Sequence, residues 1–182
     1  MYVHVPSAWL SMFSYLLLSI CSFFFIVWRH PLADILSRSI APVGALFSLL
    51  TLLTGSIWGR PMWGTWWVWD ARLTSVAILF VIYLIIIFLN FSFQNRIIKE
   101  KIVAVFIIVV SINIPIIKFS VDWWNTLHQP ASISKLSTPS IDPSMIRPLI
   151  LMTISFTLLG LLIGLLRIKS EIYSRKSASK LL

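Results

Sequence analysis

The stretch Leu73–Phe93 reads LTSVAILFVIYLIIIFLNFSF and carries no charged side chain. A helix needs about 20 apolar residues to cross the hydrocarbon core of a bilayer, so this stretch alone is long enough to span. Four more runs of the same kind flank it. They cover about Ala8–Trp28, Ile40–Trp58, Ile102–Val121 and Arg147–Leu166. The expected fold is all-α: a polytopic transmembrane helix bundle of five spans, forming one integral membrane domain over residues 1–182.

Composition agrees. Of the 182 residues, 58% are hydrophobic and only 12% are charged. That is about half the charge a soluble domain carries. Mean hydropathy is +0.92. The net charge of +9 would point a soluble protein toward nucleic acid, but here the cations sit between apolar runs. The first run lacks a basic leader and is too long for a cleavable signal. Prolines mark helix ends, except Pro115, which predicts a kink near Asn113 late in the fourth span.

The cations also orient the spans. Arg29, Arg38, Arg96, Lys99, Lys101, Arg167, Lys169, Arg175, Lys176 and Lys180 fall on one side, the last five in a basic tail over 167–182. Arg60, Arg72, Lys118, Lys135 and Arg147 fall on the other. The cation-rich side is the inner one. The N-terminal segment, the second loop and the fourth loop therefore face the periplasm or the intermembrane space.

Most of the tryptophans fall on that outer side. The second loop, about 58–75, reads WGRPMWGTWWVWDARLTS. It is too apolar for an ordinary solvated loop and too punctuated by Gly and Pro to span. It reads as an interfacial aromatic shelf, suited to a large planar apolar ligand. Arg60 and Arg72 could fork onto ligand carboxylates, or Arg72 could pair with Asp70. A plain interfacial anchor is the competing reading, but an ordinary aromatic belt would populate both interfaces.

Two histidines share the outer side. His4 lies in Val3-His4-Val5-Pro6, and His128 lies in Asp122-Trp123-Trp124-Asn125-Thr126-Leu127-His128. Two imidazoles bracketing an aromatic shelf suit axial ligation of a haem iron. Zinc fits less well, since two histidines leave a tetrahedron unfilled unless Asp70 and Asp122 join. The single cysteine, Cys21, excludes an internal disulfide or a Cys-x-x-Cys site. No Gly-x-Ser-x-Gly motif, P-loop or Gly-x-Gly-x-x-Gly is present. Few ionisable groups lie within the spans, which weighs against a pump. The chain reads as a binding or assembly factor and not an enzyme, the alternative being a cytochrome b-like redox membrane subunit.

These stretches resemble the CcmC family of haem-handling proteins in cytochrome c maturation. The resemblance rests on Tyr2–Trp9, on Gly59–Ser75 with its Trp-Gly-Thr-Trp-Trp-Val-Trp-Asp core (the WWD domain), and on Trp123–Gln129. It implies that b-type haem is held as cargo at the outer face and passed to the haem chaperone CcmE. It implies as partners the transporter subunits CcmA and CcmB, and CcmD. His4 and His128 would be the axial ligands. Trp63, Trp66, Trp67, Trp69, Asp70, Trp123 and Trp124 would form the haem platform. Bacterial or mitochondrial inner membrane is the implied location. Family members usually carry another span before the Val-His-Val-Pro segment. The expectation is therefore a short start or fragment of a six-span protein, with His4 close to a fraying end.

Overall fold

In lipid every backbone polar group must be satisfied within its own segment, so apolar runs of this length become helices. The computed structural model describes residues 1–93, 95–128 and 141–180. Lys135 and Gln129 lie outside the described residues. The described elements are α1 (His4–Trp28), α2 (Pro31–Trp63), α3 (Ala71–Ser92), α4 (Arg96–Val110), α5 (Asn113–Trp123) and α6 (Pro143–Lys180). The pair α4–α5 acts as one broken span, giving five helices long and apolar enough to cross a membrane.

The break falls where Pro115 demands it. Pro115 has no N–H to give the Ser111 carbonyl. That carbonyl accepts from the Ile114 N–H instead, at 3.0 Å. The Asn113 amide then donates to the Ser75 carbonyl at 3.0 Å and ties α5 to α3.

Several helix ends differ from the sequence expectation. α2 starts at Pro31 and not near residue 40, and α6 runs to Lys180 and not to Leu166. At 33 and 38 residues, these helices reach about 50 Å or more, well beyond a hydrocarbon core of about 30 Å. The end of α2 near Pro31 and the end of α6 near Lys180 are held together by ion pairs. Arg38 meets Glu171 at 2.6 Å, and Arg175 bridges Asp34 and Glu171. The basic tail is therefore helical through Lys180, with a paired side.

Association between helices in lipid depends on close packing and hydrogen bonds, because lipid tails compete equally for apolar surface. α1 meets this with small residues: Ser7, Ser11, Ser14 and Ser22 are buried on one face with Leu18 and Phe25. α1 packs against α2, α4, α5 and α6, while α3 packs against α2, α4 and α5. At the centre Tyr15 and Tyr83 meet edge to face, with ring centroids 5.6 Å apart. Each hydroxyl donates to a carbonyl of another helix, Tyr15 to Ile107 at 3.0 Å and Tyr83 to Ser11 at 2.7 Å. Gly44 of α2 makes room for this. A Cβ there would sit 2.2 Å from the Tyr83 ring, whereas one at Gly164 would meet nothing within 4 Å.

Gly44→Ala is expected to destabilise the bundle by roughly 1–3 kcal/mol through overpacking, despite alanine's better helix propensity. Gly164→Ala should be neutral or better. Unfolding of both variants in detergent checks this. A Gly44→Ala protein as stable as the wild type would show that the three-helix contact is not tight.

Candidate functional site

The connection between α2 and α3 is shorter than the 58–75 loop expected from sequence. α2 continues through Pro61, whose missing N–H is tolerable near a helix end. It stops at Gly64, whose φ of 76° closes the helix with its N–H on the Arg60 carbonyl at 3.1 Å. α3 begins at Ala71. Trp58 and Trp63 are therefore helical, and only residues 64–70 connect.

The aromatic surface is not flat. Trp58 and Trp63 meet at 85°, and Trp67 and Trp69 at 79°. The indoles form a corrugated wall and not a shelf, since T-shaped contacts suit the ring quadrupoles better than coplanar ones. Behind that wall lies a cavity of about 380 Å³. This falls within the usual range for small-molecule sites, about 300–1,000 Å³. His4, Trp58, Trp63, Trp67, Arg72, Lys118 and His128 line its outer part. Ser11, Met12, Val76 and Leu79 carry it inward between the helices.

His4 belongs to the first turn of α1 and is half-buried against α2. Its Nδ1 lies 3.1 Å from the Thr51 carbonyl and 3.1 Å from the Thr54 hydroxyl oxygen. The carbonyl can only accept. The Thr54 proton is already given to the Leu50 carbonyl at 2.6 Å. Nδ1 must therefore carry the imidazole hydrogen, which leaves the lone pair on Nε2. That is the arrangement of metal-binding histidines, where the second ring nitrogen is anchored to the protein. Gly55 makes room for the ring, since a Cβ there would sit 3.1 Å from His4 Cε1. His4 is thus tied to α2 by its side chain, in contrast to the fraying end expected from sequence.

His128 packs on Trp63, with ring centroids 5.3 Å apart. Its Nδ1 is buried without a hydrogen-bond partner, and Asp70 Oδ2 lies 3.7 Å away. Burial lowers its pKa, Asp70 opposes the shift, and the Arg72 cation adds to it. The net shift favours the neutral imidazole, which is the form that can bind a metal.

The remaining candidates divide. Trp63 and Trp67 line the cavity. The Trp67 indole N–H is buried and has no partner. Trp66, Trp69, Trp123 and Trp124 are exposed and are not brought to the cavity. Asp70 faces the protein and not the cavity: it caps α3 by accepting from the Leu73 N–H at 2.7 Å. It makes no ion pair with Arg72, whose guanidinium donates to the Ile117 carbonyl at 3.4 Å. Arg60 also turns away from the cavity, donating to the Gly64 carbonyl at 2.5 Å and sitting over the Trp66 ring.

Trp58 and Lys118 were not among the site residues read from sequence. Trp58 opens the quoted aromatic run, and its place five residues before Trp63 could have marked it. Lys118 reads from sequence only as one of the five cations of the cation-poor side, and the turn of α5 places it on the cavity.

The donor set suits a macrocyclic metal complex. Among the described residues no group of three or more His, Cys, Asp or Glu could hold a bare ion. Two imidazoles complete an iron that brings four nitrogens of its own. The charged lining residues, Arg72 and Lys118, are both cationic and match peripheral carboxylates. The unpartnered Trp67 N–H offers a further donor.

Comparison with known proteins supplies the family. The family model CcmC, Heme exporter protein C, matches residues 1–182. Heme exporter protein C of Bradyrhizobium diazoefficiens is 52% identical over 179 residues, which are 98% of this chain and 68% of that protein. A cytochrome c biosynthesis ccmC-like mitochondrial protein of Marchantia polymorpha is 51% identical, covering 85% of this chain and 65% of its own length. Heme exporter protein C of Haemophilus influenzae is 48% identical, at 94% and 70% coverage. The chain spans about two thirds of the length of these relatives. On the family match over residues 1–182 and these identities, the chain belongs to the CcmC family.

Proposed function

We propose that this protein holds b-type haem at the outer membrane face and presents it for covalent loading of the haem chaperone CcmE during cytochrome c maturation. One observation carries the proposal: His4 and His128 reach a single cavity from different elements, and cations line the same cavity. The relatives' names, which include heme exporter and cytochrome c biosynthesis, point the same way. On this reading the membrane is a bacterial or mitochondrial inner membrane, and the site faces periplasm or intermembrane space. CcmA, CcmB and CcmD complete the export complex.

The chain's own residues bind and orient. His4 and His128 offer ring nitrogens to the iron, the first with its tautomer fixed by Thr51 and Thr54. Arg72 and Lys118 receive the propionates. Trp58, Trp63 and Trp67 exclude water from the macrocycle, and the Trp67 N–H finds its missing acceptor on the cargo. Haem supplies the reactive vinyl edge for attachment to the chaperone. The exposed Trp66, Trp69, Trp123 and Trp124 lie outside the cavity wall, where an incoming protein can reach them, which suits a contact with that chaperone.

His4→Ala and His128→Ala should each lower haem occupancy of the purified protein roughly tenfold or more, and should convert a six-coordinate Soret spectrum to a five-coordinate one. His30→Ala, on the inner side, should change neither. Unaltered spectra and occupancy in both outer variants would sink the ligand assignment.

Trp67→Phe should weaken haem binding several-fold, the worth of one hydrogen bond of about 1 kcal/mol. Trp66→Phe should leave binding within about twofold while slowing haem transfer to CcmE. Titration with haem separates the two. Equal effects on binding would remove the distinction between cavity wall and outer surface.

A further inference from the structure

Asp70 has two oxygens with different tasks. Its side chain is 6% exposed. Oδ1 accepts from the Leu73 N–H at 2.7 Å and starts α3. Oδ2 accepts from the Leu127 N–H at 3.3 Å, drawing in the loop that carries His128. The same Oδ2 lies 3.7 Å from His128 Nδ1, which is buried and otherwise unpartnered. A buried ring N–H left without an acceptor is costly. A ring movement of about half an ångström would bring the pair to hydrogen-bond distance. Such contacts are commonly long without ligand and tighten when it binds.

From this geometry we infer that Asp70 is a positioning residue for His128: its Oδ2 accepts the Nδ1 hydrogen, leaves Nε2 as the nitrogen that faces the cavity, and makes the imidazole a stronger donor. The inference rests on the reading of His128 as a haem ligand. It assigns Asp70 a role through the histidine and not as part of the surface against which haem lies. The two histidines then differ. His4 is anchored by a neutral carbonyl and a hydroxyl, and His128 by a carboxylate. A carboxylate on the far nitrogen raises ligand basicity, which favours the ferric state and lowers the midpoint potential.

Asp70→Asn is the informative variant. Asparagine caps a helix as well as aspartate does, so one oxygen can keep the Leu73 bond. The amide nitrogen then replaces the acceptor facing His128. The expected result is a protein that still binds haem through two histidines but has a higher midpoint potential and a changed low-spin electron paramagnetic resonance signal. Thr54→Val, at the other histidine, should shift the potential less. A haem-loaded Asp70→Asn protein with the wild-type potential and signal would overturn the inference.

A second measurement serves if Asp70→Asn fails to fold. In His128→Gly, added imidazole can restore the sixth ligand and bond Asp70, whereas 1-methylimidazole lacks the required N–H. Imidazole should restore a lower potential than 1-methylimidazole. Equal potentials would overturn the inference. A wild-type protein that binds no haem would instead refute the functional proposal on which it rests.

Discussion

The close approach of α1, α2 and α3 sets the geometry of everything above it. Gly44 lets the Tyr83 ring lie against the α2 backbone, and the Tyr83 hydroxyl reaches the Ser11 carbonyl of α1. In lipid, where apolar side chains gain little by leaving hydrocarbon, such contacts must hold helices together. With the three backbones pinned together, the N-terminal end of α1 stands beside α2. His4 can then reach Thr51 and Thr54. The cavity begins where this packing ends, at Ser11 and Leu79.

Above that junction the α2–α3 connection and the segment after α5 are fastened by one carboxylate. Asp70 ends the tryptophan segment, begins α3 and holds the backbone of Leu127. The aromatic wall and the second histidine are thereby coupled through a buried carboxylate, Asp70, which lies 57 residues before its partner Leu127. Chemistry placed at helix ends avoids carrying polar groups through the bilayer centre. The spans act as a scaffold, and on the proposed reading the cavity at their ends holds the cargo.

Much of this was legible in the sequence. Uninterrupted apolar length such as Leu73–Phe93 gives the spans, and Pro115 gives the break at Ser111–Ile112. The family signature was legible in Tyr2–Trp9, Gly59–Ser75 and Trp123–Gln129. The helix ends were not, because α2 and α6 extend past the bilayer on ion pairs such as Asp34 with Arg175, which are 141 residues apart. Nor could the sequence sort the indoles. Trp66 and Trp67 are neighbours, yet one is exposed and the other lines the cavity. The same limit hid Lys118 and the two hydrogen bonds that Asp70 accepts, from Leu73 and Leu127.

The most direct test of a site shared by His4 and His128 is electron–nuclear double resonance on the ferric haem-loaded protein grown with nitrogen-15 histidine. Two histidine nitrogens should couple to the iron, and His4→Ala and His128→Ala should each remove one of them. Two couplings surviving in either variant, or a coupling lost only in His30→Ala, would contradict the placement of haem between these residues.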